Sequence, residues 1–225
     1  QSDTWEKRTV GESKGKHTLD TVEGRKCMTE LGKKKYCVIY ADPPWQYTQC
    51  GKDKKGKGTA SKHYKTMKTD DICNLPVKNM IEDTGSICFL WATLPNLKEA
   101  LKVMEAWGFE YKTAAFVWVK KNMQSGKLYW GMGAYTRANA EICLLGISPR
   151  FSAKKFIKSH SVHQVIESPH EKHSKKPDAV RKKIDQLLGN VTKIELFARQ
   201  RIDGWDAWGD EMTEEKGASD TSHET

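Results

Sequence analysis

The sequence predicts an α/β fold: a mostly parallel sheet with helices on both faces. Short apolar runs at 36–41, 85–92, 111–120, 142–147 and 192–198, rich in β-branched and aromatic residues, have the length and composition of buried strands. Two stretches, 97–107 and 180–188, instead repeat apolar residues at helical spacing. The connectors between them are short, and alternating strands and helices on short connectors pack as crossover units over one sheet. With 225 residues, the chain can bury one substantial core once its polar ends are set aside.

Residues 1–34 are polar, with Trp5 and a few aliphatics to anchor them, and are expected to form a mobile arm. The run 36–41 (Tyr-Cys-Val-Ile-Tyr-Ala) then reads as a fully buried strand, and it stops at Asp42-Pro43-Pro44-Trp45. Two prolines cannot continue a hydrogen-bond ladder, so the chain leaves the sheet there. The acid and the indole are thereby displayed at a strand's carboxyl end, where open α/β sheets bind ligands.

Those four residues suit the methylation of an exocyclic amine. The N6 amine of adenine is a poor nucleophile because its lone pair is delocalised into the ring. Two acceptors gripping its N–H groups favour a tetrahedral nitrogen whose lone pair is available. Asp42 offers a carboxylate, and Pro43 a carbonyl expected to be free because Pro44 has no N–H. Trp45 would stack on the base, as aromatic residues do on unpaired bases. A strand followed by a proline-rich turn with a capping Asp accounts equally well for the string in isolation.

The loop 46–65 carries six lysines between Lys52 and Lys65, interrupted by Gly51, Gly56 and Gly58. Glycine allows it to move, and Lys52, Lys54, Lys55, Lys57 and Lys62 are candidates for phosphate contact. Thr69-Asp70-Asp71 reads as an N-cap with acids in a first helical turn. In the next helix Pro95 marks the start, Leu97, Ala100, Leu101, Met104 and Trp107 form a core stripe, and Gly108 is the stop. The strand 111–120 ends near Trp118 and Lys120. A glycine-rich segment, 131–141, leads into the strand 142–147; its Gly-x-Gly lacks a third glycine and is no phosphate signature. Residues 150–161 read as an exposed flap or edge. Ser174 and Pro177 have the types found at a helix start, and Gly189 ends the stripe of Val180, Ile184, Leu187 and Leu188. Past residue 212 the chain is an acidic, Ser/Thr-rich tail expected to be disordered.

Several separated blocks, spanning about 36–211, together resemble the S-adenosylmethionine-dependent adenine-N6 methyltransferases that carry the Asp-Pro-Pro-Trp signature. The blocks are Asp42 to Trp45; Arg137-Ala138-Asn139-Ala140-Glu141; His173-Ser174-Lys175-Lys176-Pro177-Asp178; Glu195-Leu196-Phe197-Ala198-Arg199; and Gly204 to Glu211. They are more similar to the compact bacterial and phage branch than to the messenger-RNA writers. The resemblance implies a Rossmann-like methyltransferase in permuted order, the catalytic turn preceding the donor-binding strand. It implies a domain over 35–211 that uses S-adenosylmethionine, releases S-adenosylhomocysteine and needs no metal. Tyr64, His173, Ser174 and Lys176 would line the target-base pocket. Asp42, Lys176, Phe197, Arg199, Asp210 and Glu211 would hold the donor, although the family usually has Asn at the position of Asp210. Arg137 would contact nucleic acid or order its loop, with Glu141 orienting it; a buried Arg137–Glu141 ion pair is the plainer alternative. Asp20 and Glu23 are both candidates for the donor's adenine.

The formal charge of +9 favours a polyanionic partner. DNA is expected from the branch, with the same reaction on RNA, or a non-catalytic nucleic-acid-binding subunit, as alternatives. Relatives that work as dimers suggest a homodimer. The cysteines at 27, 37, 50, 73, 88 and 143 show no paired short spacing and read as thiols in a reducing cytosol. A cytoplasmic setting is therefore expected, with no signal peptide and no stretch near the roughly 20 apolar residues of a membrane span. His160, His163, His170 and His173 do not make a closed zinc set.

Overall fold

The computed structural model describes residues 32–46, 66–133, 135–171 and 175–209. Among these, seven strands form one sheet: β1 (Val38–Ala41), β2 (Ile87–Ala92), β3 (Glu110–Lys121), β4 (Ala140–Ile147), β5 (Val165–Pro169), β6 (Lys193–Leu196) and β7 (Asp206–Trp208). Their spatial order is β5-β3-β4-β2-β1-β6-β7. β1 pairs in parallel with β2 and β6, β6 with β7, and β3 with β5. Only β4 runs against its neighbours, β2 and β3. From β1 the chain first builds outward through β2 and later returns to place β6 on the other side. That reversal is a topological switch point, and it puts the ligand crevice of an open sheet at the carboxyl end of β1.

Among the described residues four α-helical segments accompany the sheet: α1 (Thr69–Cys73), α2 (Leu97–Ala106), α3 (Ala153–Phe156) and α4 (Ala179–Leu188), with 3-10 turns at Pro76–Met80 and Leu94–Asn96. Alternation along β1 sorts the core into two layers. Ile39 and Ala41 join Ile72 of α1 and Ala100, Val103 and Met104 of α2. Val38 and Tyr40 face the other way, onto Val180, Ile184 and Leu188 of α4. Helices therefore cover both faces, and every residue of β1 and β2 is buried. Each fully buried aliphatic or aromatic side chain there contributes about 1.5–3 kcal/mol.

A polar network ties the second layer together. The Trp91 indole donates to the Tyr40 hydroxyl at 2.8 Å, and the Arg181 guanidinium lies 5.8 Å over the Tyr40 ring. Arg181 grips Glu195 of β6 with two bonds of 2.7 Å, locking α4 to the sheet. On the other layer the Trp107 indole donates to the Ile72 carbonyl at 2.9 Å, joining the end of α2 to α1. Gly108 follows with φ +87°, a left-handed stop that a side chain would disfavour.

Some elements differ from expectation. Thr69 is the first helical residue rather than the cap; Lys68 occupies the cap position, without a side-chain bond. Helix α4 starts after Pro177, with Asp178 at its cap. The region 150–161 is not simply an exposed flap, because Phe151 is buried and stacks on Phe156 of α3 at 5.1 Å. Strands β5 and β7 were not expected: each is short and lies at a sheet edge. The four described cysteines are all free thiols, and Cys37, Cys88 and Cys143 are buried. No described helix is long and apolar enough to cross a membrane. Most of the proposed arm and the whole of the tail lie outside the described residues.

Candidate active site

The fold delivers seven side chains to one edge. β1 ends at Ala41, so Asp42 stands at its carboxyl end; β6 likewise leads into Phe197 and Arg199. β3 ends with Lys120 and Lys121. Because β4 runs in reverse, it is its beginning, at Glu141, that reaches this edge. Lys176 comes from the segment preceding α4.

These side chains form a linear chain of alternating charge. The Lys176 ammonium lies 2.8 Å from Asp42 Oδ2 and 3.2 Å from Glu141 Oε2. The Lys120 ammonium meets the other oxygen of Glu141 at 2.5 Å. Two carboxylates and two ammoniums balance, as buried charges must. Exposure is graded along the chain: the side chains of Glu141, Lys120 and Lys176 are 6%, 10% and 11% exposed, against 23% for Asp42. The carboxylate of Asp42 is thus the end open to a ligand, and the rest of the chain supports it from behind. Two indoles complete the site, with Lys176 5.7 Å over Trp91 and Lys120 5.0 Å over Trp118.

Burial, with a smaller contribution from Glu141, raises the pKa of Asp42 above the usual carboxylate value; Lys176 and Arg199 oppose the shift without cancelling it. Burial works against the Lys176 ammonium, but Asp42 and Glu141 together more than offset it, and its pKa is raised. Glu141 is also disfavoured by burial as a carboxylate, yet Lys176 and Lys120 hold its pKa below the usual value.

The turn after Asp42 corrects two expectations. The Pro43 carbonyl is not free, since the Trp45 backbone N–H donates to it at 2.8 Å. A carbonyl oxygen has two lone pairs, so one acceptor position remains. Trp45 is not an open plate either: it is 6% exposed, belongs to the core and donates its indole N–H to the Trp91 carbonyl at 2.9 Å. In this geometry it anchors the turn. The Pro44 carbonyl in turn accepts the Met67 N–H at 2.8 Å, and Trp45 and Met67 form a β-bridge.

On the other side of β1, Phe197 takes φ +62°. A bulky side chain in the left-handed region is a genuine outlier, and such strain gathers at ligand sites. The ring packs edge-on against Trp208 at 5.5 Å, and the Ala198 N–H donates to the Trp208 carbonyl at 2.9 Å. β7 approaches this turn so closely that a Cβ on Gly209 would sit 2.3 Å from the Ala198 carbonyl oxygen. The opposition of Arg199 to the raised pKa of Asp42 places it in the electrostatic reach of that acid.

A family model, MT-A70, matches residues 36–211. The chain belongs to the MT-A70 family. A Type II methyltransferase, M.MunI, from a Mycoplasma species is 35% identical over 203 residues, covering 83% of this chain and 82% of that protein. An N(6)-adenosine-methyltransferase MT-A70-like protein of Arabidopsis thaliana is 26% identical over 178 residues, 78% of this chain but 23% of that one. The N6-methyladenosine RNA methyltransferase MTA1 of Pyricularia oryzae is 24% identical over 206 residues, 87% of this chain and 52% of its own.

Of the positions expected from the MT-A70 signature, the structure brings Asp42 and Lys176 into contact and puts Phe197 and Arg199 on the neighbouring strand end. Arg137 does not pair with Glu141. Its guanidinium lies 4.7 Å over the exposed Trp130 ring, while Glu141 bonds Lys120 and Lys176. Lys120, which pairs with Glu141, was not among the expected candidates. The signal was a charged side chain closing an apolar strand, Val117-Trp118-Val119-Lys120. Tyr64, His173, Ser174, Asp210, Glu211, Asp20 and Glu23 lie outside the described residues, as do Lys52, Lys54, Lys55, Lys57 and Lys62. Among the described residues no cluster of three His, Cys, Asp or Glu is arranged to hold a metal; His170 packs between Tyr129, at 4.6 Å, and Trp118, at 6.1 Å.

Proposed function

We propose that this protein transfers a methyl group from S-adenosylmethionine to the N6 amine of adenine in DNA. The observation that carries the proposal is the Asp42–Lys176–Glu141–Lys120 chain, whose open end is a carboxylate beside a carbonyl with one acceptor position left. Two acceptors side by side are what an amino group with two N–H bonds requires.

The residues present fit the donor. Phe197 offers a ring at a strained turn, Arg199 is within reach of Asp42, and Asp42 supplies a negative charge for a sulfonium. When bound, the donor supplies an electrophilic methyl group. The work of the chain is to hold and align. Asp42 and the Pro43 carbonyl each accept one N–H of the amine, which draws its nitrogen toward tetrahedral geometry. Lys176 stays protonated and fixes the Asp42 carboxylate. As the C–N bond forms the amine becomes acidic, and a carboxylate whose pKa is raised by burial is suited to take that proton. Catalysis is then positioning and electrostatics, with no covalent enzyme intermediate and no metal.

The choice of DNA is supported by the stronger and nearly end-to-end likeness to the Type II methyltransferase. The likeness to the RNA methyltransferase MTA1 is weaker and covers half of that protein, so RNA is the second reading. Matched DNA and RNA oligonucleotides incubated with labelled donor, followed by mass spectrometry of the nucleosides, separate the two. N6-methyldeoxyadenosine from the DNA arm is expected, and product from the RNA arm alone would transfer the proposal to RNA. Full activity in an Asp42→Asn protein would overturn the mechanism on either polymer.

A further inference from the structure

Between β3 and β4 the chain makes an excursion, 122–139, that the chemistry above does not use. Its large side chains point outward: Trp130 is 72% exposed, Met132 96% and Tyr135 102%. Clustered exposed apolar groups mark an interaction surface. The charges of the excursion itself have one sign, Lys127 and Arg137, with no acid between Lys120 and Glu141; Lys121 at its base pairs with Glu167 at 3.0 Å. Arg137 lies 4.7 Å over Trp130, so the indole already carries a cation on its face. The base of the excursion is fixed to the candidate active site. The Lys120 N–H donates to the Asn139 carbonyl and the Tyr129 N–H to the Lys120 carbonyl, each at 2.8 Å, and the Tyr129 ring stacks on His170. The exposed rings therefore rise from the same sheet edge as Asp42 and Glu141.

We infer that Trp130 and Tyr135, with Arg137, form a stacking platform for the DNA bases that flank the target adenine. This rests on the proposed function. To reach a carboxylate set into the sheet edge, an adenine must leave its stack, and its neighbours then lose a partner. Aromatic rings supply a replacement face for any base, and a guanidinium beside them meets the backbone phosphate. An unpaired strand fits this surface better than a second copy of the chain does, because the centres of protein interfaces are depleted of charge whereas the excursion carries Lys127 and Arg137 and no acid.

The test uses the full chain with fluorescein-labelled DNA, single-stranded or duplex, bearing a central adenine and randomised flanks. Trp130→Ala and Tyr135→Ala should each weaken single-strand binding by about 5- to 100-fold, while Trp130→Phe and Tyr135→Phe retain most of it. Arg137→Gln should reduce the slope of log affinity against log salt by about 0.7 on single strands. Methylation of a paired adenine should fall further in the alanine variants than methylation of a mismatched one, where unstacking is already easier. Unchanged strand affinity in both alanine variants, with donor binding intact by calorimetry, overturns the platform. So does a parent dimer that these substitutions split without altering strand affinity. A parent that loses strand affinity with these rings yet forms no N6-methyl product upholds the platform and removes the proposed reaction instead.

Discussion

Replacing Lys176 with methionine removes the cation between Asp42 and Glu141 while keeping much of the side-chain volume. At an effective dielectric of about 20, two unit charges roughly 4 Å apart interact by about 4 kcal/mol. Lys176 makes two such contacts, at 2.8 and 3.2 Å. Desolvation offsets part of this, and breaking a buried pair by deleting one partner typically costs about 3–5 kcal/mol. The variant should therefore unfold at distinctly lower urea than the parent at pH 7. Its catalytic signature is separate. In the proposed reaction Asp42 grips the amine strongly, and can take its proton, only as the carboxylate, so activity rises with pH through its folded pKa, which burial already places above the ordinary value. Without Lys176 the opposing cation is gone and that pKa climbs further. The acid limb of the single-turnover methylation profile should move upward, so that activity at a fixed pH on the limb falls below that of the parent. Lys176→Arg keeps the charge and should leave the limb near its parental position. A folded Lys176→Met protein with an unmoved limb would refute the role given to this chain of charges.

Three further outcomes are expected. Glu141 is held below its usual pKa of about 4.3, so its stabilising contribution is complete above that value and fades as pH falls through the folded pKa; Glu141→Gln should cost about 3 kcal/mol in urea denaturation at pH 7, and the difference from the parent should shrink near pH 3. Phe197→Gly relieves about 1–2 kcal/mol of left-handed strain, so stability should change little while calorimetry shows at least tenfold weaker S-adenosylmethionine binding; unchanged affinity would remove the ring from the donor site. Arg181→Lys cannot reproduce the two-bond grip on Glu195 and should lose about 1.5–3 kcal/mol of stability, measured by the urea midpoint.

The parts legible in the sequence are those with a local cause. A β-branched run halted by Pro43 and Pro44 can only be a buried strand ending in a turn, and the helical stripes ending at Gly108 and Gly189 carry their own stop signals. The family blocks pointed to Asp42 and Lys176 as candidate site residues, and the structure puts the two in contact. What escaped notice depends on pairing. Val165-Ile166-Glu167-Ser168-Pro169 is half polar and ends in proline, and it is a strand because β3 presents an open edge beside it. Residues 206–208 are too few to signal a strand without β6. An ion pair between Glu141 and Arg137 was one of two open readings, but antiparallel pairing sets Trp118 opposite Glu141 and Val119 opposite Ala140, which brings Lys120 within reach. Trp45 looked like an open ring because nothing in a linear sequence shows the Trp91 carbonyl waiting above it.

The bond between the Pro44 carbonyl and the Met67 N–H joins the two ends of the lysine-rich segment at its neck. A segment closed in this way can be exchanged as a cassette: its length and charge can change while the acid beside the neck keeps its position. A chimera that trades only residues 47–65 and still folds with the stability of the parent would show that this neck, rather than the segment it closes, holds the turn beside Asp42.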